Sequence, residues 1–185
     1  MACREIDYKN DHLGFIIKDI KWDDAFLHAS FPNYEDVTTE KLNHIFNEFN
    51  IGKISQQAIL QQYHEILIYN ESNIYQKNIL APQVKVQYSL ANLPRITYPK
   101  FTPIMEEEKV WSLNEQDLNI YFGMRLRWFG INFKEYQDFI KQVHDLCEDF
   151  DLREDDILTN PSNLGYHSVL GLRIIDYGLV NNSLL

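Results

Sequence analysis

Cysteine is scarce in this sequence: Cys3 and Cys147 stand far apart, with no CxxC pair and no Cys/His spacing of the kind a zinc knuckle needs. That excludes a disulfide framework and an encoded zinc site, and it fits a reducing, cytoplasmic setting. Long apolar runs are absent too. The opening MACREIDYKNDH is charged where a secretory leader needs an apolar stretch, and no later run approaches the roughly 18 residues of a membrane span. Neither export nor a membrane partner is expected. Basic residues are outnumbered, with 17 Lys and Arg against 27 Asp and Glu and a formal net charge of −10. Such a field repels phosphate backbones and anionic headgroups and attracts cationic surfaces. Duplex nucleic acid is therefore excluded as an expected partner, and a basic protein is favoured.

The common catalytic and cofactor signatures are missing as well. The chain has no GxGxxG, no P-loop and no GxSxG, and its one DxD, Asp149 with Asp151, arises inside an acidic run. His64-Glu65 opens like a zincin helix, but Ile68 stands where the second histidine belongs. Around Gly52, an EF-hand alignment would place Asn47, Phe49 and Ile51 at the first ligand positions and Ala58 where a bidentate Glu is required. No cofactor or metal is expected.

What is present is a globular composition. At 185 residues, 45% hydrophobic and 14% aromatic, the chain can bury roughly 70% of its unfolded surface without staples. No Gly/Ser-rich linker, repeat or low-complexity tract divides it, so a single domain over 1–185 is expected. Phe15 and Ile17 alternate with Ile16 and Lys18, and Ala25 to Phe31 alternate again, with His28 between Phe26 and Ser30; this predicts an N-terminal hairpin. A helix follows, capped by Thr38 or Thr39 and ended by Gly52, and a second opens at Ser55 with an Ala58, Ile59, Tyr63, Ile66, Leu67 stripe. The second helix carries no Lys or Arg, so the pair is a packing αα-hairpin and not a reader of DNA. Two strands between Gln83 and Phe101 come next, the proline-flanked one at an edge, and Glu106 to Glu108 mark an exposed connection.

Residues 113–129 satisfy both strand and helix periods. Ser112 with Glu115 as a capping box and Gly130-Ile131 as a stop favour the helix. Asn132 with Glu135 caps a further helix bearing Tyr136, Ile140, Val143, Cys147 and Phe150. Asp151 with Glu154 caps a short one, and LGLRIIDYGLV closes as a strand. The pattern predicts an α+β fold: a mainly antiparallel sheet, built from the N-terminal hairpin, the central strands and the C-terminal strand, under about five helices.

The stretch HDLCEDFDLREDD, residues 144–156, is the candidate surface. His144 and Glu148 share a helix face at i,i+4, but two ligands do not hold a metal, and a calcium loop would need glycine where Phe150 or Glu154 stands. A solvated helix junction accounts for most of the cluster, since Asp151 to Asp156 complement the start of the next helix. As a binding surface, Glu148, Asp149, Asp151, Glu154, Asp155 and Asp156 would meet a basic protein. The expected function is a non-enzymatic acidic binding protein, such as a toxin-neutralising immunity protein or an inhibitor of a basic partner. The alternative is a small hydrolase or phosphate-handling enzyme. It would use His167 as base, Asp176 to orient it, Ser162 or Ser168 as nucleophile, and Arg125 and Arg127 as an anion clamp.

Overall fold

The computed structural model describes residues 3–8, 11–21 and 28–185. The fold is α+β with two antiparallel sheets. It divides into two compact units: Met1–Glu71 with Pro82–Lys100 and Asn182–Leu185, and Ser72–Ala81 with Phe101–Asn181.

The first unit holds a four-stranded sheet in the order β1 (Cys3–Asp7), β2 (Phe15–Lys21), β4 (Pro94–Pro99), β3 (Lys85–Tyr88). β2 is paired on both sides, Ile20 opposite Arg4 and Lys18 opposite Ile96. Its hairpin partner is β1. Of the second strand expected over 25–31, residues 25–27 lie outside the described residues, and 28–31 carry no strand, with His28 exposed. The proline-flanked β4 is interior, and β3 forms the edge. Pro94 and Pro99 sit only at the ends of β4, so Arg95 to Tyr98 keep their N–H donors for the ladder.

Helices α1 (Thr39–Glu48) and α2 (Lys53–Glu71) form the expected αα-hairpin. The Thr38 hydroxyl accepts from the Lys41 amide at 3.2 Å, and α2 begins two residues before Ser55. Leu42, Ile45 and Phe46 of α1 meet Ile59 and Tyr63 of α2 and Ile20 of β2 in one core, which also takes in Phe31 and Leu93. α2 lies against β1, β2 and β4. The sheet face it covers carries Lys18, Ile20, Ile96 and Tyr98, all buried, whereas Phe15 is exposed.

The second unit begins with a short helix α3 (Ile74–Lys77), which the sequence reading omits although Asn73 and Gln76 form its capping box. Strand β5 (Thr102–Pro103) pairs with β6 (Leu164–His167), and β6 pairs with β7 (Gly171–Ile174) in a separate three-stranded sheet. The C-terminal strand therefore does not join the N-terminal sheet: its ladder partner is β6, from the Asn-Ser-Gly segment just before it. Glu106 to Glu108 are exposed, as expected, but they start helix α4 (Glu107–Ser112), where negative charge suits the helix N-terminus.

Residues 115–128 are helix α5 (Glu115–Trp128). Its cap is Asn114, which accepts from the Asp117 amide, because Ser112 still belongs to α4. Gly130 at φ +76 ends α5 in the expected way, its amide donating to Arg127 and that of Ile131 to Leu126. Helix α6 (Phe133–Phe150) carries the expected Asn132/Glu135 box and buries Phe139, Val143, Leu146 and Cys147. Asp151 is not the N-cap residue of the next helix. At φ 50 and ψ 42 it ends α6 in the left-handed region, and α7 (Glu154–Thr159) starts without a side-chain cap at Arg153.

Candidate functional site

The acidic stretch forms the α6–α7 junction, inside the second unit. α6 turns its apolar stripe inward and leaves Asp145, Glu148 and Asp149 exposed at its C-terminal end. Left-handed Asp151 reverses the chain, the Leu152 amide donates back to the Cys147 carbonyl at 3.0 Å, and Leu152 is buried. Four of the six predicted carboxylates are held from within the unit. Gln76 Nε2 donates to Asp149 Oδ2 at 2.6 Å and Asn181 Nδ2 to Asp151 Oδ1 at 3.0 Å. His144 pairs with Glu154, and Asn163 Nδ2 donates to Asp156 Oδ2 at 3.2 Å. Glu148 and Asp155 remain at the exposed surface, Asp155 with Arg153 Nη2 at 3.8 Å.

Burial raises the Asp156 carboxyl above the usual range, and the negative charge of Asp176 adds to the effect, with Arg153 and the Asn163 hydrogen bond opposing it. Burial likewise pushes the Cys147 thiol up to about 12, so it is neutral and unreactive at physiological pH. His144 is engaged with Glu154 and does not join Glu148 in a ligand pair. Among the described residues no group of three or more His, Cys, Asp or Glu could hold a metal ion.

The expected base and its orienting acid are held apart. His167 ends β6, and its Nδ1 accepts the amides of Val169 and Leu170 at 3.1 and 3.3 Å, so the imidazole caps the β6–β7 turn. Its ring packs 5.4 Å from that of Phe101. Asp176 lies beyond Ile174, which pairs with Leu164 at the opposite end of the ladder from the His167 and Gly171 pair. Those ends stand roughly 10 Å apart at about 3.3 Å per residue, so Asp176 cannot orient His167. The Ser162 hydroxyl donates to Asn160, inside a 3-10 turn at Pro161–Asn163.

Arg125 donates through Nε to the Ile104 carbonyl at 2.8 Å, and its guanidinium lies 4.6 Å from the Trp128 ring centre and 4.9 Å from that of Phe129. Arg127 is exposed. A cavity of about 370 Å³ opens in this unit between Ile131, Glu135, Phe139, Tyr166 and Arg173, and neither arginine nor His167, Ser162, Ser168 or Asp176 lines it.

The first unit contains a polar centre that the sequence reading passes over. Glu65, on α2, is fully buried. Its Oε1 lies 3.0 Å from Lys18 Nζ, and its Oε2 lies 2.5 Å from Arg4 Nη2 and accepts from the Tyr98 hydroxyl at 2.6 Å. Lys18 also sits 4.9 Å from the centre of the Tyr98 ring. Gln62 Nε2 beside it donates to the carbonyls of Lys18 and Pro94. A carboxylate enclosed in this way ties α2 to β1, β2 and β4 and meets no solvent-borne substrate. The legible signal is a lysine at the same strand parity as Ile16 and Ile20, matched by a glutamate beside Ile66 in a helix's apolar face.

No helix among the described residues is long and apolar enough to cross a membrane. No known protein family, curated protein or solved structure matches the chain.

Proposed function

We propose that the chain is a non-enzymatic binding protein that captures a basic protein partner on the α6–α7 junction, in the manner of an immunity protein or inhibitor. The carrying observation is the placement of its charge. The second unit holds 15 Asp and Glu against 8 Lys and Arg, a net of −7 out of the whole chain's −10. Asp145, Glu148, Asp149 and Asp155 are exposed at one junction of that unit. Gln76, Asn181, His144 and Asn163 hold the neighbouring carboxylates and so pre-organise the surface, which lowers the ordering cost of binding. A negative surface of this kind steers a cationic partner and raises its association rate. The partner would meet it in a reducing, cytoplasmic compartment, where Cys147 persists as a buried thiol.

The test is affinity capture from the native host at low and high salt, repeated with Glu148→Lys/Asp149→Lys/Asp155→Lys. A basic partner retained at low salt, lost at high salt and lost by the variant is the expected result. Recovery of no partner, or equal binding by the charge-reversed chain, rejects the reading.

A further inference from the structure

Helix α5 buries one of its 14 side chains, Leu126, and presents large apolar groups to solvent on the opposite side: Ile120 is 57% exposed, Met124 61% and Trp128 71%. At about 100° per residue, Asp117, Ile120, Met124, Arg127 and Trp128 fall within an arc of about 100°, and Leu126 points away from it. The stripe is ordered along the helix. Its acid, Asp117, stands at the N-terminal end, its base, Arg127, at the C-terminal end, and the apolar pair Ile120 and Met124 between them. Asp117 and Arg127 are both exposed.

An antiparallel copy of the same stripe is its own complement. With Asp117 opposite Arg127, Ile120 falls opposite Met124 and Trp128 opposite Gln116, and the two-fold operation produces each contact twice. A closed, isologous pairing requires that self-complementarity. We propose that α5 is the self-association surface of this protein, pairing antiparallel with α5 of a second copy. Two Asp117 and Arg127 ion pairs flank an apolar centre made by Ile120 and Met124 of both chains, and Trp128 extends the contact beyond each ion pair, opposite Gln116. The charge order names the occupant: a parallel or unrelated apolar helix would leave like charges facing or both ions without an opposite. Two short helices offer a contact at or below the low end of specific interfaces, so the dimer is weak and its population depends on concentration. The surface lies on a different helix from the acidic junction, and its test does not depend on that reading.

Sedimentation equilibrium over a concentration series tests it. The mass should rise from 22.0 kDa toward twice that value as concentration increases. Met124→Glu, which sets carboxylates near the two-fold axis, should weaken dimerisation at least tenfold with helix content unchanged by far-UV dichroism. Leu90→Glu, at a residue 99% exposed in the first unit, should leave it unaltered. Asp117→Arg and Arg127→Asp should each weaken the dimer, and the double exchange should restore it, because the reversed pairs still oppose one another. That rescue separates direct pairing from damage to the α5 cap. A chain that stays at 22.0 kDa at several hundred micromolar overturns the proposal, even if its α5 binds an unrelated protein or a vesicle. Indifference to Met124→Glu overturns it, and so does a double exchange that fails to restore association.

Discussion

Glu65 carries its charge into a fully buried position because both carboxylate oxygens are met, one by Lys18 and the other by Arg4 and Tyr98. Removing one member strands the others. Glu65→Leu should therefore lower the unfolding free energy by about 3–5 kcal/mol, and Lys18→Met should also be costly. The double variant should cost less than the two singles together, since it removes both members of the Lys18 and Glu65 pair and leaves only Arg4 to lose its carboxylate partner. Urea denaturation of the three variants measures this, and strict additivity would contradict the pairing. Asp156 behaves oppositely. Its carboxyl is raised by burial and by Asp176, so the folded state disfavours its ionised form relative to the unfolded chain. Stability from this group is present below the ordinary carboxylate pKa and is lost as pH rises through the folded value. Asp156→Asn should hence raise the melting temperature at pH 7, with the gain vanishing near pH 3. A gain that persists in acid would rule out this electrostatic origin.

At the scale of the element, two glycines of the second unit make opposite predictions. Gly165 lies in β6 where an added Cβ would stand 2.7 Å from both Phe101 Cβ and Ile175 Cγ2, and one of those contacts is at the root of a side chain that cannot swing away. Gly165→Ala should destabilise by about 1–3 kcal/mol through overpacking. Gly123 sits inside α5 with nothing within 4 Å of such a Cβ. Gly123→Ala should stabilise by about 0.5–1 kcal/mol, because alanine loses less backbone freedom on becoming helical. Thermal melts of the two variants should move in opposite directions, and a common direction would refute one of these environments.

Across the whole molecule, both units bury a group that resists losing its proton. Burial raises the Tyr63 hydroxyl in the first unit and pushes the Cys147 thiol of the second from its ordinary 9.0 up to about 12. In that interval the unfolded chain has released the Cys147 proton while the folded chain retains it, so stability must fall as pH rises from about 9 toward 12. Urea midpoints taken from pH 8 upward should show this decline, and Cys147→Val should flatten part of it. An unchanged slope in the variant would remove Cys147 from the account.

The sequence by itself determined the elements whose signals are local. α1, α5 and α6 follow from Thr38, from the Gly130-Ile131 stop and from the Asn132/Glu135 box, because caps and stops act through backbone amides only a few residues away. It likewise determined the α+β class and the concentration of acid at the α6–α7 junction, which are matters of period and composition. Strand partnership was beyond it. β2 can pair with any neighbour of suitable alternation, and only the fold selects β1 and β4 for it and sends β7 to a second sheet with β6. Residues far apart in the chain met for the same reason. Lys18 and Glu65, 47 positions apart, form a buried pair, whereas His167 and Asp176, only nine apart, are kept at opposite ends of one ladder. Ladder pairing and apolar burial decide which side chains become neighbours, and both are properties of the assembled chain that no local stretch of sequence contains.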